Sequence, residues 1–286
     1  MNLSKERIIK PFLCNIDKGI ITMLKVCPLA SGSNGNCTYI SDGKTNILID
    51  AGISATRIIR ELSMLKVGVS AIDAVFITHE HGDHITGLEK LLSRADIPVY
   101  ASCGTARGIG ERIVSLSGLI NCVYEGDKTE VGSILVEPFH TPHDTYESMG
   151  FRLFAGGSSA VVATDIGHMD DELLTKLLGA DVLLLESNYD EARLRYSKYP
   201  TFLKNRITSD VGHLSNKECA AVAVKAAQQG TKNIILGHLS AESNTPREAY
   251  TTVHTALTQN GIIPGVDVML YVAPRGMRGE LVTVGE

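Results

Sequence analysis

The most chemically loaded stretch of the 286-residue sequence is His79-Glu-His-Gly-Asp-His84. Three histidines and an aspartate fall within six residues. Neutral imidazole and carboxylate are the donor types that suit zinc and neighbouring divalent metals. The histidines stand at i, i+2 and i+5, which suits a tight loop better than one helical face and differs from H-E-x-x-H. The run Ala74–Ile77 before them reads as a buried strand, so the loop leaving it can aim side chains in two directions and serve more than one ion. No thiolate accompanies them, which favours an open catalytic metal site over a closed structural one. The bland alternative is a histidine-rich surface loop that binds nothing.

Such a loop needs a rigid frame. Leu24–Leu29 is strand-like and stops at Ser31-Gly-Ser-Asn-Gly-Asn36. Cys37–Ile40 and Asn46–Ile49 read as a hairpin around Asp42-Gly43. Four later strand-like runs also end at polar clusters. Ile134–Phe139 leads to His140-Thr-Pro-His-Asp144, Ala160–Ala163 to Asp165, Asp181–Leu185 to Glu186-Ser-Asn188, and Asn233–Leu236 to Gly237-His-Leu-Ser240. Helical spacing marks Ser54–Leu65, Thr86–Leu92, Asp170–Leu178, Asn216–Gln229 and Arg247–Gln259, with Asp170 and Ser215 as N-caps. Strands that each deliver polar residues at one end describe a sheet with a functional rim. The alternation gives an α/β (α+β) class. No repeat or linker divides the chain, so one domain over residues 23–286 is expected. Residues 1–22 are expected to be a loose extension or the product of a rarely used upstream start.

Composition narrows the function. With 44% hydrophobic residues the chain can bury a large core, which excludes disordered and disulfide-dense classes. A net charge of −5 excludes a globally basic nucleic-acid binder but leaves room for a local basic patch. No apolar run approaches the roughly 20 residues that span a bilayer. The six cysteines (14, 27, 37, 103, 122 and 219) form no C-x-x-C pair. They read as reduced, buried thiols, and with no continuous apolar stretch near the start they give a cytoplasmic expectation.

The motif H-x-H-x-D-H after a strand resembles the signature of the metallo-β-lactamase-fold hydrolases. The resemblance runs from about Met23 to the C-terminus and implies a four-layer αβ/βα sandwich with two divalent metals at one edge, zinc or manganese. Within that superfamily the chain is most similar to the single-domain YycJ/WalJ-type exonuclease branch. Ser31–Asn36, Glu186-Ser-Asn188, Asp210-Val-Gly-His-Leu-Ser-Asn216 and Gly237-His-Leu-Ser-Ala-Glu242 with Asn244 carry that similarity. Tyr189 stands where the branch usually has His, and Gly82 where it has Ser. By this resemblance His79, His81 and His143 hold one metal, Asp83, His84 and His238 the other, and Asp165 bridges them. A metal-bridging hydroxide is then the nucleophile, with Asp83 orienting it. His140, three residues before His143, competes for the same place; His143 is favoured because Asp144 follows it directly.

Other residues carry two readings each. His213 is a packing loop histidine or a proton donor to the leaving group. Ser33, Asn34 and Asn36 line an anion cradle, or the asparagines brace the metal loops. With Asn188, these three are the substrate-binding candidates. Tyr189–Arg206 interleaves five basic residues with Tyr196, Tyr199 and Phe202, which suits single-stranded nucleic acid or an ordinary solvated surface. Arg247, Arg275 and Arg278 cannot be placed on a phosphate track from sequence. His168 and His254 carry no role. The function expected is a dinuclear phosphodiesterase, a 5′-to-3′ exonuclease on single-stranded DNA. The alternative is hydrolysis of a small ester, thioester, lactone or lactam by the same metals. No G-x-S-x-G supports a serine hydrolase.

Overall fold

The computed structural model describes residues 23–285; the extension expected at residues 1–22 and Cys14 lie outside them. Strands of the first sheet are β1 (Leu24–Ala30), β2 (Cys37–Ser41), β3 (Asn46–Ile49), β4 (Ala74–Phe76), β5 (Val99–Ala101) and β6 (Asn121–Cys122). Those of the second are β7 (Thr129–Val131), β8 (Ile134–His140), β9 (Met149–Ala155), β10 (Ser158–Ala163), β11 (Val182–Glu186), β12 (Asn233–Gly237) and β13 (Met269–Val272). The last strand, β14 (Val282–Val284), returns to the first sheet and pairs antiparallel with β1. The orders are β14-β1-β2-β3-β4-β5-β6 and β13-β12-β11-β10-β9-β8-β7. The helices are α1 (Ala55–Met64), α2 (Gly82–Ile85), α3 (Leu88–Leu92), α4 (Cys103–Arg112), α5 (Asp171–Leu177), α6 (Glu191–Tyr196), α7 (Thr201–Ile207), α8 (Asn216–Gln228) and α9 (Pro246–Gln259).

Side-chain alternation builds four layers from this order. In β11, Val182 and Leu184 face a central core shared with Val26, Ile47, Phe76 and Phe151. Leu183 and Leu185 face the opposite way, onto Leu177, Val222, Ala223 and Val253 of α5, α8 and α9. The first sheet repeats the pattern: Leu48, Val75 and Ile77 pack outward on Ile58, Leu62, Leu88 and Ile109 of α1, α3 and α4. A strand covered on both faces reads as a continuous apolar run, which is why these strands show no polar alternation. The arrangement is the expected αβ/βα sandwich, in one domain.

The structure corrects two expectations. Thr86–Leu92 is not one helix, because Gly87 N donates to Ala51 O and a Cβ at Gly87 would lie 2.0 Å from Ile53 O. The turn containing Asp83 and His84 therefore forms separately, as α2. The cysteines are also not all free: Cys103 and Cys122 pair as a disulfide, while Cys27, Cys37 and Cys219 are buried thiols. Parallel pairing of β5 with β6 places Ala101 beside Cys122, and α4 begins at Cys103, two residues on. Spacing of 19 residues carries no signal of that proximity.

Candidate metal centre

The rims of both sheets meet over Asp165. From the first sheet, β4 runs into Thr78 and His79, both fully buried. Thr78 N donates to Asp50 Oδ1 at 2.8 Å, and Thr78 Oγ1 lies 3.0 Å from Asp50 Oδ2 and 3.0 Å from His79 Nδ1. Asp50 Oδ2 also takes His84 Nδ1 at 2.8 Å. The chain of bonds engages Nδ1 of both imidazoles and turns Nε2 of each inward. His79 Nε2 faces His81 Nδ1 at 3.1 Å.

The second sheet supplies the other half. His143 follows β8, and its Nδ1 donates to Gly212 O at 2.9 Å, so its Nε2 also points inward. Asp165 follows β10 and His238 follows β12. Asp165 Oδ1 lies 3.2 Å from His238 Nε2, 3.6 Å from His143 Nε2 and 3.5 Å from His213 Nδ1; Oδ2 lies 3.2 Å from His84 Nε2. Donor atoms of His79, His81 and His143 fall within 4.8 Å of one another, as do those of Asp83, His84 and His238. Among the described residues four non-glycines adopt the left-handed backbone, and Asp50 (φ 64°), Asp165 (58°) and His238 (52°) are three of them. Such conformers cost on the order of 1 kcal/mol or more each, so tertiary contacts must hold them.

Burial and charge sort the imidazoles. Burial pushes His79, His81 and His143 below the usual imidazole pKa, so all three are neutral, the form that binds metal. Burial opposes protonation at His84 too, but Asp50, Asp165 and Asp83 outweigh it and raise its pKa well above the usual value. Asp165 is buried, yet His238 and His84 hold its pKa far below the usual carboxylate range. The buried His143 Nε2 and Asp165 Oδ2 have no hydrogen-bond partner. Buried acceptor atoms without a hydrogen-bond partner, set in a ring of imidazole nitrogens, fit a divalent cation.

A protein-family model described as "Beta-lactamase superfamily domain" matches residues 45–239, the span that contains every one of these side chains. The chain belongs to the β-lactamase superfamily. Across that superfamily it is 35% identical over 246 residues to Exodeoxyribonuclease WalJ of Streptococcus pneumoniae, covering 85% of this chain and 91% of the relative. It is 33% identical over 234 residues to Exodeoxyribonuclease YycJ of Bacillus anthracis, covering 82% and 89%. Among solved structures, the metallo-β-lactamase fold protein YhfI of Bacillus subtilis superposes with a TM-score of 0.70 at 17% identity, over 92% of this chain and all of that one. With family and donor geometry together, the chain is a metal-dependent hydrolase.

The remaining sequence candidates separate. His140 is exposed at the end of β8, beside Glu125, His168 and Asp170, and away from the cluster. Ser33 and Asn34 are exposed at the tip of their loop. Asn36 is buried in the site: its Oδ1 accepts from Gly32 N at 2.9 Å and lies 3.2 Å from His238 Nδ1, and its Nδ2 lies 3.0 Å from His84 Nε2. It braces the two rims against each other. Asn188 is buried, and its amide donates to His238 O at 3.0 Å. In Tyr189–Arg206, Tyr189 and Tyr199 pack with Leu194, Leu203 and Ile207, whereas Tyr196 and Phe202 are 83% and 74% exposed. Arg275 lies against Gly32 and donates to Ser240 O at 2.5 Å.

Sequence reading gave no role to Asp50, Thr78 or Glu186. Glu186 is fully buried, accepts from Ile166 N at 2.7 Å, and holds His213 Nδ1 at 2.8 Å. Their signal was a polar or charged residue at the end of a continuous apolar strand, where burial demands a partner.

Proposed function

We propose that this chain is a dinuclear, metal-dependent exonuclease that degrades single-stranded DNA from the 5′ end. His79, His81 and His143 would hold one ion and Asp83, His84 and His238 the second, with Asp165 within reach of both; zinc and manganese each suit the donor set. The observation that carries the reading is the buried Asp165 carboxylate between two complete donor triples. The relatives named exodeoxyribonucleases supply the substrate class. When bound, two such ions supply hydroxide at neutral pH and neutralise charge on a phosphoryl oxygen.

The chain's own residues do the rest. Asp83, a quarter exposed at the rim, accepts a hydrogen bond from the attacking water. Burial disfavours charge on His213, but Glu186 and Asp165 outweigh it and raise its pKa, so its imidazolium donates a proton to the departing alkoxide. The hydrogen bond between Glu186 and Nδ1 leaves Nε2 for that transfer. Tyr196 and Phe202 offer ring faces to unpaired bases, and Ser33 and Asn34 lie at the rim for a phosphate. We place the activity in the cytoplasm, beside chromosomal DNA; among the described residues no helix is long and apolar enough to cross a membrane.

The test is a parallel assay of metal-replete protein on labelled single-stranded DNA, a phosphodiester, a lactone and a chromogenic lactam. Processive loss of nucleotides from the 5′ end, weakening sharply with salt, is expected. No cleavage of DNA with any divalent metal, alongside turnover of lactone or lactam, overturns it.

A further inference from the structure

Arg206 sits at the end of α7, and its guanidinium grips Asp144 with two prongs. Nε donates to Asp144 Oδ2 at 2.5 Å and Nη2 to Oδ1 at 2.7 Å. Asp144 Oδ1 in turn lies 3.5 Å from His143 Nε2. One carboxylate therefore separates the guanidinium from the metal-facing nitrogen. The backbone fixes this placement. Asp144 N donates to Val211 O, His213 N donates to Ile207 O, and His143 Nδ1 donates to Gly212 O. Gly212 allows the close approach, since a Cβ there would lie 2.3 Å from Arg206 O.

Two other cations of the same stretch are engaged elsewhere. Arg193 pairs with Glu248, and Lys204 donates to the carbonyls of Arg195 and Ser197. Arg206 remains 40% exposed and Asp144 30%, so both are reachable from solvent. A carboxylate in this position repels an anionic strand. A planar guanidinium matches the two non-bridging oxygens of a phosphodiester as well as it matches a carboxylate.

We propose that Arg206 is the residue that grips the substrate's backbone phosphate beside the metal centre, parked on Asp144 until a strand arrives. The guanidinium exchanges two hydrogen bonds to a carboxylate for two to a phosphate, and no covalent bond to it is made or broken. This selects a phosphodiester polyanion over a neutral ester, and it rests on the nuclease reading above.

Steady-state kinetics of the metal-loaded enzyme on a labelled single-stranded oligonucleotide, across a salt series, tests it. Arg206→Ala raises KM about tenfold or more with kcat within about twofold, and lowers the log–log salt slope by about 0.7, one phosphate contact on a single strand. Arg206→Lys keeps most of the salt slope but not the low KM, because it retains the charge without the fork. Asp144→Asn, which frees the guanidinium as well as removing a repelling charge, lowers KM more in the parent than beside Arg206→Ala, where only the repulsion is relieved. Bound metal is unchanged in all three. An unchanged KM and salt slope in Arg206→Ala overturns the proposal. So does loss of metal from both the Ala and Lys variants, which makes Arg206 an anchor for His143 instead. A parent enzyme that degrades no oligonucleotide fails at the nuclease reading, before any variant is compared, and removes the phosphate grip with it.

Discussion

His213 and Glu186 show how one hydrogen bond sets a residue's chemistry. With Nδ1 committed to a buried carboxylate, His213 has one nitrogen left for a substrate. His213→Ala is expected to keep its metal and lose roughly a hundred- to ten-thousandfold in kcat, the span of a general acid. Elemental analysis beside kinetics checks both halves; unchanged turnover removes the role. His84 gives a second prediction, with its sign fixed by charge. Three nearby carboxylates hold its imidazole protonated at pH 7 in the metal-free protein, while His79, His81 and His143 are already neutral. Loading metal at pH 7 must therefore expel the His84 proton, and affinity rises with pH up to the raised His84 pKa. A pH-stat titration with metal that releases no acid contradicts this. At this scale the donors were legible because histidine and aspartate declare themselves by type. Asp50 and Glu186 were not, because a buried carboxylate whose work is to orient a histidine looks, in sequence, like any acidic residue after a strand.

The elements work through close backbone approaches that sequence hints at only as glycine. Gly52 is the sharpest case. A Cβ there would lie 1.6 Å from Asp83 O, the same carbonyl that accepts from Asn36 N at 2.8 Å. Gly52→Ala must push α2 off its seat, and with it Asp83 and His84. Loss of the second ion and a fall in thermal stability are expected, read by metal content and a melting curve; a fully loaded, equally stable variant contradicts the packing described. Helix α8 offers a milder comparison. Ser215 accepts from Glu218 N, and Glu218 accepts from Ser215 N, a complete capping box two residues after His213. Ser215→Ala should cost about 1 kcal/mol of stability with metal retained, measured by denaturant unfolding. The caps at Asp170 and Ser215 and the main strands were readable, because period and capping chemistry are local. Strands β5, β6, β7, β9, β13 and β14 were missed: most are short or half-covered and are defined by a neighbour rather than by their own residues, and in β9 Gly150 and Arg152 interrupt the apolar run. The disulfide was missed for the same reason: β6 meets α4 only after the sheet has formed.

Across the whole molecule, the two sheets bring residues 50–84 and residues 143–238 to one rim, and neither half holds a complete donor set. The inter-sheet core of Ile47, Phe76, Phe151 and Leu184 is thus what aligns the ligands. On the proposed nuclease reading, a chain with net charge −5 gathers a polyanion locally, through metal ions and a few placed groups such as Arg206, rather than through its overall field. Family and layer order were legible from five separated motifs in order; the position of Arg206 was not, since it depends on how α7 closes over the rim. The most direct measurement is the metal content of the purified protein, titrated with zinc or manganese, for the parent and for Asp165→Asn. Two divalent ions per chain are expected in the parent, and fewer in Asp165→Asn with the fold intact by circular dichroism. A well-folded parent that loads no ion, or an Asp165→Asn variant that binds two as tightly as the parent, contradicts a dinuclear centre built around Asp165.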